Sequence, residues 1–288
     1  MNQRRKLWLA LSATVLLIAL TASLAVFWRS YPEQPQFELS VLDVGQGDAV
    51  LIEAPGGQVM LVDGGPDKKV LRRLGEELPF WERRIDLIVL THPHEDHLAG
   101  LNAVIERYEI GAVMVSGPDA GSPSYKHFLE TIKARGIPLH VVERSEELAL
   151  GEVKLHILFP LKSVKGKRLS NLNDSSIVMK ATYGETDILL TGDAETAIEK
   201  QLLASGDDLT ADILKAGHHG SETSSGEEFL KAVKPQLAII SSGVGNSYGH
   251  PSPRILKRYE RFGIPVRRTD QEGTVHVRSD GKNFYILQ

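Results

Sequence analysis

From Phe37 onward the apolar positions follow two rhythms. Short runs such as "FELSVLDVG", "DAVLIEAP" and "QVMLVDGG" alternate or stay apolar for four to six residues. They break at "GQGD" and "PGG", which predicts three strands joined by tight turns. The segments "DKKVLRRLGEEL", "HLAGLNAVIERY", "SYKHFLETIKARG", "AETAIEKQLLAS", "GEEFLKAV" and "SPRILKRYERFG" return to apolar residues at helical spacing. Between them lie the strand-like runs "IDLIVLTH", "GAVMVSG", "PLHVVE", "TDILLTGD", "ADILKAG" and "QLAIIS". "EVKLHILFP" and "SSIVMKATYG" read as an antiparallel pair joined by a basic loop, and "GTVHVRS" with "NFYILQ" closes the chain as strands. Hairpins dominate early and strand–helix units later, which predicts a mixed α/β domain. "IDLIVLTHPH" and "ADILKAGHHG" are both Asp-bearing apolar strands that end in a pair of histidines, as two similar halves facing each other would give.

The first 36 residues follow another pattern. Arg4, Arg5 and Lys6 precede roughly 22 uncharged residues, Leu7 to Trp28, long enough for a helix across a ~30 Å bilayer. This predicts an N-terminal apolar helix within residues 1–30. It is either a signal peptide cleaved near Ser23 and Ala25 or an uncleaved signal anchor with Trp28 at the interface. A Pro-rich linker over 31–36 then leads into a domain over 37–288. Either reading places that domain outside the cytoplasm, secreted or membrane-anchored.

Composition narrows the chemistry. There is no cysteine, so disulfides and thiolate metal sites are excluded, and any metal must be held by nitrogen and oxygen. Lys and Arg number 33 against 37 Asp and Glu, a net −4. The balance argues against a generally DNA-coating surface, though not against a local basic groove.

The densest chemistry is "THPHEDH", directly after a predicted strand. His92 and His94 stand two apart and point the same way from an extended backbone, while Asp96 and His97 start a helix and turn to a second point. One metal per pair is geometrically natural, and histidine with carboxylate suits Zn²⁺, Mn²⁺ or Fe. A polar loop with fortuitous histidines is the competing reading. "GQGD" opens no helix, so a tight hairpin accounts for it better than a phosphate loop does.

"THPHEDH" matches the HxHxDH motif of the metallo-β-lactamase superfamily, and the rest of the chain resembles that family in order. "LVDGG" resembles its first motif, with Asp63 as an acid near the metals. "LLTGD" resembles the motif whose aspartate, here Asp193, bridges two metals. "LKAGHHGS" resembles the last ligand motif, with His218 preferred to His219. "LDVGQGDAVLI", "NDSSIV", "LKAGHHGS" and "YGHPSP" together look like the extracellular hydrolase domain of the ComEC family of DNA-uptake proteins. In that subfamily "ND.S" stands where most relatives carry a further ligand histidine. The resemblance assigns Asp174 to the first metal, with Asn173 or water as alternatives. It implies a four-layer αββα sandwich with the site on the shared edge of two sheets. The implied metal ligands are His92, His94, Asp96, His97, Asp174, Asp193 and His218, around two divalent ions, Zn or Mn. ComEC proteins carry a polytopic channel that this chain, with at most one span, does not supply.

The expected mechanism is attack by a hydroxide bridging two metals ~3.5–4 Å apart, with Asp96 orienting it. Lys215 or His250 would balance charge developing on the substrate. Each also has a bland reading, Lys215 as a solvated strand lysine and His250 as a loop histidine. His127, His140, His156 and His276 are expected away from any metal. The stretch "RILKRYERFGIPVRR", with Arg254, Lys257, Arg258 and Arg261 on one helical face, suits a polyanion such as single-stranded DNA. So does the loop with Lys162, Lys165, Lys167 and Arg168, and an ordinary solvated face is the alternative. The expected function is therefore a metal-dependent phosphodiesterase or nuclease tied to DNA uptake. A hydrolase of lactones or β-lactams and a non-catalytic DNA-binding module remain as alternatives.

Overall fold

The computed structural model describes residue 8, residues 13–24 and residues 36–287. The chain divides into two compact units, Met1–Gln36 and Phe37–Gln288. In the first, residues 13–24 are helical, and Thr21 Oγ1 donates to Leu17 O and Ile18 O, 3.0 Å from each. Arg4, Arg5, Lys6, Ala25, Trp28 and most of the linker expected over 31–36 lie outside the described residues. Among the described residues, no helix is long and apolar enough to cross a membrane, so the bilayer-spanning helix expected here gains no support.

The second unit holds two sheets. The first contains β1 (Phe37–Val41), β2 (Val50–Glu53), β3 (Val59–Val62), β4 (Arg84–Leu90), β5 (Glu109–Val115), β6 (Leu139–Val141), β14 (Val275–Ser279) and β15 (Phe284–Leu287), in the order β15-β14-β1-β2-β3-β4-β5-β6. The second contains β7 (Glu146–Leu150), β8 (Val153–Phe159), β9 (Val178–Tyr183), β10 (Thr186–Leu190), β11 (Ile213–Lys215), β12 (Leu237–Ile240) and β13 (Val266–Arg268), in the order β13-β12-β11-β10-β9-β8-β7. In each sheet one side is antiparallel, β15-β14-β1-β2-β3 in the first and β10-β9-β8-β7 in the second. Four neighbours, β3 to β6 and β10 to β13, run parallel.

Period-two alternation sorts each strand between two cores. Met60, Val62 and Val89 face Ile157, Met179, Ile188 and Ile213 across the gap between the sheets. Their neighbours Leu61 and Ile88 pack on α1 (Lys69–Glu77), α2 (Glu95–Arg107) and α3 (Pro123–Ala134) through Leu74, Leu98, Leu101 and Phe128. On the other sheet Leu189 and Leu214 pack on α4 (Thr196–Ser205), α5 (Glu227–Val233) and α6 (Pro253–Arg261) through Ile198, Phe229 and Tyr259. A short α7 (Thr269–Glu272) follows β13. The result is the four-layer αββα arrangement, with a hydrophobic seam at each of three interfaces.

The sheets are tied to each other at both ends. At the carboxyl ends of the parallel strands, the β1–β2 loop wedges between the halves. Asp48 N donates to Asp96 O at 3.2 Å, and Ser241 Oγ donates to Gly47 O at 2.6 Å. A Cβ at Gly47 would stand 2.2 Å from Asp96 O, so only glycine fits there, at φ +143°. At the opposite end the β9–β10 and β14–β15 turns meet. Glu185 N donates to Gly281 O at 2.6 Å, and the hydroxyls of Thr186 and Ser279 bond at 2.7 Å. A Cβ at Gly184 would stand 2.1 Å from Gly281 O.

Helix starts follow simple rules. Ser122 and Ser252 each cap a helix whose next residue is proline, and their hydroxyls accept from Tyr125 N and Arg254 N. β7 and β13 have no counterpart among the strands expected from the sequence. Both lie at sheet edges, where short, half-polar runs suffice.

One cross-strand pair works against the fold. Glu38 on β1 faces Glu53 on β2. Burial, followed by the charges of Glu38, Glu77 and Glu82, pushes Glu53 up to about 7. The folded chain therefore holds this proton more tightly than the unfolded one. The associated stability is complete below pH 4.5 and is lost as pH rises through about 7. Glu53→Gln is expected to flatten that loss, read as a smaller drop in the denaturation midpoint between acid and mildly alkaline buffer than in the parent.

Candidate metal centre

Every group that converges on the site leaves the carboxyl end of a parallel strand, or the loop just beyond it. Asp63 follows β3, His92 to His97 follow β4, Asp193 follows β10, and His218 and His219 follow β11. Crevices beyond strand carboxyl ends are where open α/β sheets place ligands. His94 stands just before α2, whose first turn carries Glu95 and Asp96 against the positive end of the helix dipole. Asp63, His218 and His219 adopt left-handed backbone at φ 60°, 49° and 52°. Non-glycine residues accept this conformation only where surrounding structure enforces it.

Two groups of donors share Asp193. One comprises His92, His94 and Asp193, the other Asp96, His97, Asp193 and His219, with donor atoms within 4.8 Å of one another in each. In the second group His97 Nε2 lies 3.3 Å from Asp193 Oδ1 and 3.9 Å from Asp96 Oδ2. His219 Nε2 lies 3.6 Å and 3.2 Å from the same two oxygens. Tetrahedral ligands about 2.0–2.2 Å from a metal sit roughly 3.3–3.6 Å apart, so these four atoms are spaced as the corners of one coordination sphere. His97 Nε2, His219 Nε2 and Asp193 Oδ1 are also buried with no hydrogen-bond partner. Buried polar atoms are rarely left so, and a cation at their centre satisfies all three. In the first group His92 Nε2 and His94 Nδ1 stand 3.0 Å apart, with Asp193 Oδ2 3.7 Å from His92 Nε2. The donor set fits divalent metal.

The outward nitrogens of these imidazoles are held from behind, as metal-binding histidines generally require. His97 Nδ1 donates to Asp63 Oδ2 at 2.8 Å, and Asp63 also accepts from Thr91 N and Thr91 Oγ1. His219 Nδ1 lies 3.1 Å from Asp48 Oδ1 and from Ser241 O. Burial disfavours charge on His97, yet Asp193 and Asp63 hold its pKa well above the ordinary value. Against the same burial, Asp193 and Asp48 push His219 up to about 10. Burial and the neighbouring His97 hold His92 well below its usual range. Burial would raise Asp96, but His219 and His97 bring it to about 2.

Several expectations need correction. His219, not His218, enters the Asp96–His97 group, and His218 lies at the mouth with Nδ1 3.3 Å from Glu195 Oε1. Lys215 does not face a substrate. It is buried, with Nζ donating to Asp48 Oδ2 at 2.8 Å and Ala216 O at 3.0 Å, and so supports the acid that holds His219. Asp174 stands outside both groups, along a separate hollow with Lys162, Lys167 and Gln201. Its neighbour Asn173 is buried, with Oδ1 unpartnered and Nδ2 donating to Glu195 Oε1 at 3.3 Å. His250 lies on the rim of a cleft of about 360 Å³ with Gln46, His94, Asp96, His218 and Tyr248. Burial lowers its pKa, and the Tyr248 ring, 70% exposed, stacks on it at 6.0 Å. His127, His140, His156 and His276 belong to neither group. Asp48 and Glu195 are members of the site's surroundings that the sequence pattern did not single out as such.

The basic stretch is largely spent within the fold. Arg254 pairs with Glu222 at 3.0 Å, Arg261 with Glu227, Arg267 with Glu272 and Arg268 with Asp270, while Arg258 donates to Ser224 O and Ser225 O. Lys165 and Arg168 likewise face Glu143 and Asp119. A continuous row of free cations for a polyanion is not what this face presents.

Lys215→Ala would take from the buried Asp48 carboxylate the cation on its Oδ2, leaving only His219 beside it. It should cost about 3–5 kcal/mol in denaturant unfolding, where a solvated lysine would cost almost nothing. Metal uptake should also be proton-coupled. His219 keeps its proton up to about pH 10 in the metal-free chain, so a cation must displace it. Affinity is expected to fall steadily as pH drops through the neutral range, with proton release visible in weakly buffered titrations.

The fold has clear counterparts. The profile of the Metallo-beta-lactamase superfamily matches residues 42–244. ComE operon protein 3 of Bacillus subtilis is 31% identical over 84% of this chain and 33% of its own length. Competence protein ComA of Neisseria gonorrhoeae is 30% identical over 82% of this chain and 31% of its own. The chain thus spans about a third of the length of these relatives. Among solved structures, the metallo-beta-lactamase fold protein YhfI of Bacillus subtilis superposes with a TM-score of 0.52 at 15% identity, covering 80% of this chain and 96% of that one. CmlA, a diiron beta-hydroxylase from Streptomyces venezuelae, gives 0.55 at 15% identity, covering 89% and 55%. With its profile match across most of the domain and its His/Asp cluster at the strand ends, the chain belongs to the metallo-beta-lactamase superfamily as a metal-dependent hydrolase.

Proposed function

We propose that this hydrolase is a two-metal phosphodiesterase that cuts DNA outside the cytoplasm, in the manner expected of a ComEC-like domain. The observation that carries the reading is Asp193. Its two oxygens face two separate sets of imidazoles, Oδ1 toward His97 and His219 and Oδ2 toward His92. This placement supports a carboxylate shared by two cations. His92, His94 and Asp193 would hold one, and Asp96, His97, His219 and Asp193 the other, with Zn²⁺ or Mn²⁺ suited to the nitrogen and oxygen donors. Such a pair, when bound, supplies Lewis-acid polarisation of the scissile group and a hydroxide nucleophile at neutral pH.

The chain's own residues do the rest. Asp63 and Asp48 fix the ring orientation of His97 and His219, so little reorganisation is needed when charge develops. Asp96, half-buried and held at about 2, stays ionised and faces the cleft. His250 and Gln46 line the same cleft and offer hydrogen-bonding groups to a substrate oxygen. The exposed Tyr248 ring stacked on His250 offers a flat apolar surface to a nucleobase, a contact that tolerates any sequence. The competence proteins among the relatives support a part in DNA uptake. The basic-then-apolar start of the chain supports export.

Purified protein loaded with Mn²⁺ or Zn²⁺ is expected to cleave bis-p-nitrophenyl phosphate and single-stranded DNA. Chelator and His94→Ala should each reduce turnover to background. Lactone or β-lactam turnover without phosphodiester cleavage would replace this reading with a carbonyl hydrolase. DNA binding indifferent to chelator and to His94→Ala, with no turnover, would replace it with a binding module.

A further inference from the structure

The first group of donors is incomplete. His92, His94 and Asp193 supply three atoms, and Asp174, expected to add the fourth, stands elsewhere. We infer that the adjacent histidines divide between the two metals, His219 serving the Asp96–His97 group and His218 completing the His92–His94 group through Nε2. This inference rests on the two-metal reading above.

Three observations support it. First, His218 Nε2 lies 3.8 Å from Asp193 Oδ2, the same oxygen that His92 Nε2 approaches at 3.7 Å. The other oxygen, Oδ1, belongs to His97 and His219. The two histidines that follow β11 thus address opposite oxygens of one carboxylate. Second, His218 is oriented from behind as His97 and His219 are. Its Nδ1 lies 3.3 Å from Glu195 Oε1 and 3.0 Å from Thr223 Oγ1, and Thr223 Oγ1 itself donates to Glu195 Oε1 at 3.1 Å. Asp63 holds His97, Asp48 holds His219 and Glu195 holds His218, so each imidazole has its own carboxylate, the usual support for a metal-binding ring. A His218 ring that donates its Nδ1–H to Glu195 turns the Nε2 lone pair toward Asp193 Oδ2. Two acceptors then face each other with no proton between them, an arrangement a cation stabilises. Third, consecutive left-handed residues at φ 49° and 52° let neighbouring side chains diverge to two points, a backbone that costs energy and serves no turn made by glycine here. Asn173 Nδ2 donates to the same Glu195 Oε1, and Asn171 Nδ2 holds Oε2, so the carboxylate is fastened through both oxygens.

The test counts metal on the full chain. Wild-type protein reconstituted with Mn²⁺ should hold two ions per chain by elemental analysis, with a spin-coupled electron paramagnetic resonance spectrum. His218→Asn keeps a residue that tolerates left-handed backbone but is too short to reach. It should hold one ion with an uncoupled spectrum, as should His92→Ala. Glu195→Gln, which leaves His218 in place, should weaken one ion by about 10–100-fold and leave the other unchanged. Two coupled ions in His218→Asn with wild-type affinity, while His92→Ala loses one, would overturn the division of the pair and leave the two-metal reading intact. A wild-type chain that takes up one ion would overturn the two-metal reading, and this inference with it. Should His218→Asn fail to fold, Glu195→Gln decides, unchanged affinity for both ions overturning the proposal.

Discussion

A buried carboxylate with imidazole nitrogens converging on it is the constraint around which this molecule is arranged. Asp193 is almost fully enclosed, and Oδ1 has no hydrogen bond to spend its charge on. Burying such a group is costly unless opposite charge arrives with it. The histidines come from both halves of the chain, His92 and His97 from beyond β4 and His219 from beyond β11. The sandwich closes with these strand ends side by side, and the acids behind the rings carry the demand for compensation outward. Asp48 is the clearest case, since its own burial is answered by Lys215.

Much of this could be read along the chain, and what could not has physical reasons. "THPHEDH" is legible because its donors are contiguous and follow a strand, so local geometry alone aims them. Asp63 and Asp193 are legible as acids ending apolar strands. The choice between His218 and His219 is not, because adjacent residues in left-handed backbone point where the surrounding loops send them. Lys215 misleads for a different reason. A lysine ending a strand looks solvated until Asp48, 167 residues earlier, is folded against it. "GQGD" reads as a hairpin, and it is one, but its aspartate has a second role that only the opposite half reveals. The arginine-rich helix looks like a free basic face because its partners Glu222 and Glu227 lie on a neighbouring stretch some 30 residues away.

The sandwich also occurs in CmlA, a diiron beta-hydroxylase. The layers therefore explain where a site forms and leave open what it does. Chemistry is set by the groups around the His/Asp cluster. Asn173 sits beside Glu195, Lys215 is drawn inward, and Tyr248 and His250 stand on the rim.

The sandwich is laced at both edges, through Gly47 between Asp96 and Ser241 and through Gly184 against Gly281. Two slabs fastened along opposite margins have no axis about which to swing. A jaw-like closure over the substrate is thus denied to this architecture, and the imidazole cage stays preformed between turnovers.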